Sequence, residues 1–246
     1  MLYLIGLGLF DANDISLRGL TAVKSCSLLF LEGYTSKLSC PVTELEKLYG
    51  KKVTMCDRAM VEQQGEELIV LPAKHADIAF LVIGEVFSAT THSSLFLDAK
   101  KHKVNVQVIH NASVLTAVGV TGLELYKFGR VASIPFHHAD VTSPVEVMKQ
   151  NQRMGLHTLF LLDIEPSIER YMAAAEAASY LVGRGIPGDT KAVVCGALGS
   201  AAPRIRYLSL AEIKDLNVQV FPQCLIIPGR LHFMEEDMLS LFGQEQ

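Results

Sequence analysis

The chain of 246 residues has a formal net charge of -4, and 50% of its residues are hydrophobic while 20% are charged. This apolar content is enough for a sizeable core, and the length allows one large or two ordinary domains, so extensive disorder is excluded. The acidic balance also argues against a protein that binds nucleic acid mainly by electrostatics, because such binding requires a basic face.

The start of the chain fits neither a signal peptide nor a membrane anchor. The apolar run at residues 2–10 contains two glycines and has no basic leader, and no later segment reaches the roughly 18 consecutive apolar residues that span a bilayer. The five cysteines are scattered and form no C-x-x-C pair, which indicates reduced thiols. We therefore expect a soluble, cytoplasmic protein with no membrane contact.

The first half of the chain alternates apolar runs with helical patterns, as a parallel sheet requires. Strands are predicted at residues 2–9, 28–31, 52–55, 79–83 and 104–109, helices at 15–26, 44–48 and 91–102, and a polar segment at 57–67. Asp11, Asn13 or Asp14 is expected to cap the first helix. Asn111 or Ser113 is expected to cap a further helix through residues 114–118.

The second half repeats the α/β pattern without repeating the sequence. Strand-like segments are predicted at residues 131–136, 157–163, 192–195, 204–210 and 224–227, and helices at 144–153, 168–182, 211–216 and 234–241. The pattern of the sequence changes around residues 127–130, and we place the domain boundary near residues 110–125. We therefore predict two domains, at residues 1–112 and 113–246.

The most informative stretch lies at residues 79–92. Its apolar run ends at Gly84 and gives way to small and hydroxyl-bearing residues. A buried strand that opens into such a loop is typical of the ligand-binding carboxyl edge of an open α/β sheet, and glycine there permits a turn or a close approach to a ligand. A purely structural turn is the alternative interpretation. The residues at 110–113 form a second loop that is expected to lie near it.

Several familiar motifs are incomplete. Gly6-Leu7-Gly8 follows the first strand, and Glu32 ends the second, as in dinucleotide-binding proteins, but the position of the third glycine is Asp11. The chain also lacks a phosphate-binding G-x-x-x-x-G-K-[ST] loop and a G-x-S-x-G nucleophile elbow. A tight turn is the commoner explanation of the two glycines.

The histidines offer little independent evidence of chemistry. His137, His138 and Asp140 resemble a metal motif, but adjacent side chains on an extended segment point to opposite faces, so no metal site is predicted. His92 and His110 are candidate catalytic bases at strand ends, although satisfied polar residues are the commoner case there.

Blocks from one end of the chain to the other resemble a known family. They include Val108-Ile109-His110-Asn111-Ala112-Ser113 and the segments at residues 2–9, 31–36, 89–92, 125–129, 155–164 and 238–242. These blocks are similar to those of the diphthine synthase family. The resemblance implies a two-domain α/β methyltransferase of the tetrapyrrole-methylase (class III) type, with a cofactor cleft between its domains.

The resemblance also implies the reaction and the partners. Members of the family are homodimers that use S-adenosylmethionine, which leaves as S-adenosylhomocysteine. They methylate the amino group of 3-amino-3-carboxypropyl-histidine on translation elongation factor 2 during diphthamide biosynthesis. Members of the eukaryotic type also esterify the carboxylate, which gives diphthine methyl ester. Neither nucleic acid nor membrane is an expected partner.

The family's cofactor contacts can be carried over residue by residue. The corresponding positions are Leu9, Glu85, Ser88, Ser113, Val114, Leu162, Ser200 and Gln223. Two departures fall on this set. The family usually has Gly-Asp-Pro where this chain has Gly84-Glu85-Val86, and a histidine where it has Gln223. The glutamate keeps a carboxylate with a longer reach, whereas the glutamine keeps hydrogen bonding but removes a titratable group.

Two alternatives to this enzyme remain open at the level of sequence. The departures are compatible with a non-catalytic homologue that binds the cofactor and docks on a translation factor. A methyltransferase of the same fold acting on a tetrapyrrole or another small molecule is the third candidate. No residue is assigned as the catalytic proton acceptor.

Overall fold

The computed structural model describes residues 1–137 and 139–243, which fold as two compact units. The first unit runs from Met1 to Val114, and the second begins at Leu115. The predicted boundary between residues 112 and 113 therefore lies two residues before the observed division.

The first unit is built on a five-stranded sheet in which every neighbouring pair is parallel. Its strands, in the spatial order β3-β2-β4-β1-β5, are β1 (Leu2–Gly6), β2 (Leu28–Glu32), β3 (Thr54–Cys56), β4 (Ile78–Val82) and β5 (Val106–Ile109). The helices are α1 (Leu17–Ser25), α2 (Val42–Tyr49), α3 (Arg58–Gly65) and α4 (Ser93–Lys101). A short helix, α5 (Val114–Ala117), crosses the division between the units.

The strands of the first unit are apolar on both faces because helices cover both faces of the sheet. In β4, all five residues are buried. Alternate side chains enter two different apolar clusters, with Phe80 in one and Leu81 in the other, and Leu4 and Ile5 of β1 divide in the same way. The continuous apolar runs in the sequence thus follow from two-sided burial, as is usual in parallel sheets.

The second unit contains a mixed five-stranded sheet. Its strands, in the spatial order β11-β10-β12-β7-β6, are β6 (Ala132–Ile134), β7 (Thr158–Leu162), β10 (Lys191–Gly196), β11 (Arg204–Ser209) and β12 (Gln223–Ile227). Only β6 and β7 pair in parallel, and the other neighbours are antiparallel. A hairpin of β8 (Ile164–Glu165) and β9 (Arg170–Tyr171) follows β7. The helices are α6 (Ser143–Arg153), α7 (Ala174–Gly183), α8 (Leu210–Lys214) and α9 (Phe233–Ser240).

Three local predictions were wrong. The N-cap of α1 is Ser16, whose hydroxyl accepts a hydrogen bond from the N–H of Gly19, whereas Asp11 caps only a 3-10 turn at Ala12–Asp14. The segment 57–67 is helical rather than merely polar, since Asp57 caps α3 and a π-helical turn continues to Val70. The helix predicted from residue 168 begins only at Ala174, because the β8–β9 hairpin occupies the preceding residues.

The predicted state of the cysteines is confirmed, since all five are free. Four of them are buried, and Cys40 is half-buried. Among the described helices, none is both long enough and apolar enough to cross a bilayer.

A cluster of charged and polar groups around the buried Glu235 connects separate segments of the second unit. The Glu235 carboxylate at the start of α9 bonds the ammonium of Lys127 and lies 2.8 Å from His157 Nε2. It also accepts hydrogen bonds from the N–H groups of Glu124 and His232, at 3.0 and 2.8 Å. This residue thus connects α9 to the segment before β6 and to the residue preceding β7.

The protonation states in this cluster follow from its geometry. The N–H of Gly229 donates to Nδ1 of His157, so Nε2 carries the proton that faces Glu235. Burial lowers the pKa of His157 and favours the neutral ring. Burial alone would raise the pKa of Glu235, but the hydrogen bonds from the backbone, Lys127 and His157 lower it to about 2. Glu235 is therefore an anion at neutral pH.

We predict that Glu235→Gln destabilises the second unit by roughly 3 kcal/mol at pH 7, because it leaves the Lys127 ammonium without its buried partner. The folded pKa of Glu235 lies below its unfolded value, so its contribution is complete above about pH 5 and disappears as the pH falls towards about 2. The difference in unfolding free energy between wild type and variant should shrink over that range, as measured by urea denaturation at several pH values.

The matched control is Glu236→Gln, which removes the same charge from the exposed neighbouring residue. It should change the unfolding free energy by less than about 0.5 kcal/mol. Equal effects at positions 235 and 236 would show that the buried cluster contributes no more than an exposed carboxylate.

Candidate functional site

Three loops of the first unit meet at the carboxyl edge of its parallel sheet. They follow β1, β4 and β5, and β1 lies between the other two strands. Gly8 and Gly84 form an isolated bridge, with the N–H of Gly84 donating to the carbonyl of Gly8 at 2.7 Å and the N–H of Gly8 returning a bond at 3.2 Å. Both glycines have positive φ, at 89° and 83°, so glycine is needed for the paths of both loops.

Asn111 fastens the loops to one another. Its Nδ2 donates to the carbonyl oxygens of Gly6 and Asp14, each at 3.0 Å. The Asp14 carboxylate in turn accepts the N–H groups of Leu9 and Phe10, at 3.0 and 2.6 Å. Both side chains therefore organise the loop after β1 instead of capping helices as the sequence predicted for them.

Glu85 joins the second and third loops. Its Oε2 accepts the N–H of Asn111 at 2.7 Å, and its Oε1 lies 2.8 Å from Nδ1 of His110. The Glu85 side chain is only 12% exposed, whereas that of His110 is 74% exposed. The residue that departs from the family's aspartate thus makes ordered contacts within the protein.

The loop after β4 is anchored at two buried residues. Val86 is fully buried in an apolar cluster, which explains how this chain accommodates valine in place of the family's proline. His92 is also fully buried, with its ring nitrogens 3.4 Å from the carbonyl oxygen of Val86 and 3.3 Å from the hydroxyl of Tyr34. Burial lowers the pKa of His92 and keeps it neutral, so it supports the loop from inside.

Five of the sequence-predicted cofactor residues lie at this carboxyl edge. Leu9 follows β1, Glu85 and Ser88 follow β4, and Ser113 and Val114 follow β5. Ser113 is buried and the other four are half-buried. The first unit therefore brings together all of the residues that were predicted from its part of the chain.

The remaining three predicted residues share one end of the second unit's sheet. Gln223 begins β12 opposite Gly196, the last residue of β10, and Ser200 lies in the loop that follows. Leu162 ends β7, one residue beyond the pair that Leu161 forms with Cys224. The three predicted residues of the second unit thus lie at the same end of its sheet.

Gln223 is occupied by contacts inside the second unit. Its Oε1 accepts the N–H of Ala174 at 2.8 Å, which holds the start of α7, and its Nε2 donates to the carbonyls of Val218 and Val220 at 2.8 and 3.0 Å. An amide nitrogen has two hydrogens, so Nε2 has no donor left for a ligand. One lone pair of Oε1 remains for any cofactor contact.

The space beside the α-carbon of Gly84 is not crowded. A Cβ atom at this position would have only one atom within 4 Å, the carbonyl oxygen of Ala112 at 3.9 Å. By contrast, a Cβ at Gly6 would lie 2.6 Å from the carbonyl oxygen of Gly84, so that glycine is required by close packing. Close packing at the α-carbon thus does not account for the glycine at position 84, whereas its positive φ does.

Other candidate chemistries receive no support from the geometry. Glu32 is fully buried and accepts hydrogen bonds from Tyr34, Thr35 and Ile83, so it is not available to hold a ribose. The pKa of Glu32 is raised, because the effect of burial is larger than that of these hydrogen bonds, which lower the pKa. Within residues 1–137 and 139–243, no three histidine, cysteine, aspartate or glutamate side chains are placed to hold a metal ion. His138 lies outside the described residues.

The contacts of Glu85 and Asn111 were not found by sequence reasoning. Sequence spacing identified the two loops but gave no information on the partners of individual side chains. The only available signal was that His110 and Asn111 directly follow one strand while Glu85 closely follows another.

Comparison with known proteins agrees with this architecture. Residues 1–214 match the family model of the tetrapyrrole (corrin/porphyrin) methylases. The chain is 41% identical to a probable diphthine methyl ester synthase of Arabidopsis thaliana and 43% identical to a diphthine synthase of Methanocaldococcus jannaschii, with 98% of each chain covered in both comparisons.

The solved structures include a crystal structure of diphthine synthase. It matches with a TM-score of 0.92 and 34% identity, and the match covers 98% of this chain and 95% of the other. The predicted family and fold class are therefore confirmed. The chain belongs to the tetrapyrrole methylase family, and its full-length relatives include a diphthine synthase and a probable diphthine methyl ester synthase.

Proposed function

We propose that this chain transfers methyl groups from S-adenosylmethionine to the 3-amino-3-carboxypropyl-histidine of translation elongation factor 2. Membership of the methylase family and full-length similarity to diphthine synthases support the reaction class. The observation that carries the proposal is the junction of three ordered loops beside the open backbone at Gly84. Carboxyl edges of open α/β sheets are the usual ligand sites of such folds.

The proposed cofactor contacts come from both units. In the first unit they are Leu9, Glu85, Ser88, Ser113 and Val114, and in the second unit they are Leu162, Ser200 and Gln223. When bound, S-adenosylmethionine supplies an electrophilic methyl group and leaves as S-adenosylhomocysteine. The protein binds and orients the reactants and excludes water.

Positioning can supply a large part of the catalysis in a reaction of this kind. Methyl transfer to an amine is an in-line displacement that needs no covalent nucleophile from the protein. Holding two reactants in a near-attack geometry can lower a barrier by about 7–11 kcal/mol. A site made of interlocked loops, without a catalytic triad, agrees with this requirement.

The contacts of Glu85 bear on its electrostatic role. A carboxylate beside a sulfonium would stabilise the ground state more than the transition state, because the positive charge leaves sulfur during the transfer. Both oxygens of Glu85 instead face protein donors at His110 and Asn111. We therefore assign Glu85 to shaping the loops near the cofactor's polar tail or the substrate amine.

The proposal includes the assembly and its location. Relatives of this family are expected to be homodimers, so light scattering of the purified chain at micromolar concentration should give twice its 26.9 kDa mass. A concentration-independent monomer would contradict this part of the proposal. Elongation factor 2 is the expected protein partner, and the cytoplasm, where it works, is the expected compartment.

The principal rival is a homologue that binds the cofactor without turnover. The observation that favours it is the internal use of Gln223, where the family usually has a histidine. A methyltransferase acting on a tetrapyrrole or another small molecule is the third candidate. The following measurement separates all three.

We expect the purified chain to methylate elongation factor 2 that carries the 3-amino-3-carboxypropyl group. Mass spectrometry of the modified peptide gives the number of methyl groups and reveals whether the carboxylate is esterified. Elongation factor without the modification is the control and should remain unmethylated. Cofactor binding by calorimetry without transfer would favour the non-catalytic homologue, and transfer only to a porphyrinoid precursor would favour the small-molecule enzyme.

We predict that Asn111→Ala weakens binding of S-adenosylhomocysteine about tenfold, as measured by calorimetry. The variant loses the two hydrogen bonds to the carbonyls of Gly6 and Asp14, which are worth together about 1–2 kcal/mol. Asn105→Ala is the matched control, because its exposed side chain precedes β5 at the opposite edge of the sheet. Unchanged affinity in Asn111→Ala would mean that the loop junction does not form the cofactor site.

A further inference from the structure

The proposed reaction requires a proton acceptor. A primary amine is mostly protonated near neutral pH, and only its unprotonated form has the lone pair that attacks a methyl group. Each transfer to an incompletely methylated amine therefore begins with the loss of a proton. A protein group that receives this proton needs an unprotonated nitrogen or oxygen at the site, open to the substrate.

His110 and Glu85 form a pair with these properties. Nδ1 of His110 lies 2.8 Å from Oε1 of Glu85. An ionised carboxylate only accepts hydrogen bonds, so Nδ1 must carry the proton of this bond. In the neutral imidazole, the lone pair is then on Nε2, the nitrogen of a general base. The carboxylate thereby selects the tautomer as well as the orientation of the ring.

The two members of the pair differ in their exposure and in their other hydrogen bonds. The second oxygen of Glu85 accepts the N–H of Asn111, and its side chain is only 12% exposed, so the carboxylate is fixed. The His110 side chain is 74% exposed, and no described residue makes a hydrogen bond or ion pair with Nε2. In this pair, the protein holds the Glu85 carboxylate in place, whereas Nε2 of His110 is open to solvent.

The pair also lies at the right place in the first unit. His110 directly follows β5, and Glu85 is the third residue after β4. Ile5 and Ile109 are in register, as are Gly6 and Val82, so both residues stand at the carboxyl edge of the sheet. Asn111, which links the loop after β1 to this edge, is the next residue in the chain.

We infer that His110, oriented by Glu85, is the general base that accepts the proton of the substrate amine. This inference rests on the proposed function. In the step, the N–H bond of the ammonium breaks and its proton moves to Nε2 of His110, while the freed electron pair remains on nitrogen. That pair then forms the new carbon–nitrogen bond as the carbon–sulfur bond breaks, and the imidazolium releases its proton to water.

A second pair of the same chemistry provides an internal comparison. His102 Nε2 lies 2.6 Å from Glu66 Oε1, but His102 ends α4 and precedes β5, at the amino edge of the same sheet. A surface ion pair of this kind usually contributes little to stability. Both pairs join a histidine to a glutamate, but they lie at opposite edges of the sheet, and the His102 side chain is only 22% exposed whereas that of His110 is 74% exposed.

The test uses the variant His110→Asn. The asparagine amide can donate to Glu85 from nearly the position of Nδ1, so the loop contact is kept while the basic nitrogen is removed. We expect the single-turnover rate of methyl transfer to elongation factor 2 at pH 7 to fall about 100-fold, with the affinity for S-adenosylhomocysteine changed by less than twofold. His102→Asn is the matched control and should keep the wild-type rate.

Two further measurements separate a base from a structural role. The deficit of His110→Asn should narrow as the pH rises, because the free amine then forms without a base. Among the described residues, Glu85 is the only titratable side chain that contacts His110. Asp14 contacts Asn111, the neighbour of His110, through its backbone carbonyl oxygen. Added imidazole should raise the rate of His110→Ala by several fold and leave wild type unchanged.

The outcomes are distinguishable. If wild type transfers no methyl group to this substrate, the proposed function fails and the base fails with it. If wild type is active and His110→Asn transfers methyl groups within twofold of its rate, only the base assignment is wrong. Loss of rate in proportion to loss of cofactor affinity, or a deficit that does not depend on pH, would show that His110 is a structural element of the loop.

Discussion

Two hydrogen bonds from one amide determine the geometry on which the candidate site depends. Asn111 donates to the carbonyls of Gly6 and Asp14, and so ties the loop after β5 both to the end of β1 and to the loop beyond it. The loop after β4 joins through Glu85 and through the bridge between Gly8 and Gly84. Because the three strands are neighbours in a parallel sheet, short side chains are enough to connect their ends.

The second unit also connects separate segments through one side chain, which in this case is the charged Glu235. Glu235 gathers two backbone N–H groups, an ammonium and a neutral imidazole around one buried carboxylate. Removing the Glu235 carboxylate would leave all four donors without this partner at once, which is why a buried ionic group of this kind is costly to remove. In the first unit, the hydrogen bonds of Asn111 and Glu85 lie at the carboxyl edge of the sheet. In the second unit, those of Glu235 are buried at the start of a helix.

The sequence was informative where burial sets a simple pattern. The apolar run of β4 predicted a strand covered on both faces, and all five residues are buried. Helix boundaries were predicted less well, because several polar residues competed to be the cap of α1. Asp14 could not be distinguished from Ser16 by type, since its carboxylate is used by Leu9 and Phe10 in a turn that sequence alone does not define. The β8–β9 hairpin was missed because an alanine-rich helical pattern follows it without a clear break.

The partners of individual side chains at the site were beyond prediction. Glu85 and His110 are 25 residues apart, and their contact depends on the register of β4, β1 and β5. Gln223 shows the same limit, since its glutamine chemistry suggested a ligand contact while its position commits its amide to Ala174 and to two carbonyls. The residue type gives the capacity for hydrogen bonding, and the fold decides where that capacity is used.

The two buried anchors of the loop after β4 limit how far it can adapt. Val86 and His92 are both fully buried, so only the five residues at 87–91 lie between fixed points. Any adjustment of this loop to an incoming molecule is confined to a span too short to carry a hinged lid. Selectivity at this edge must therefore arise from a loop whose course is set before binding, and the entropy lost on binding is that of five residues instead of a whole loop.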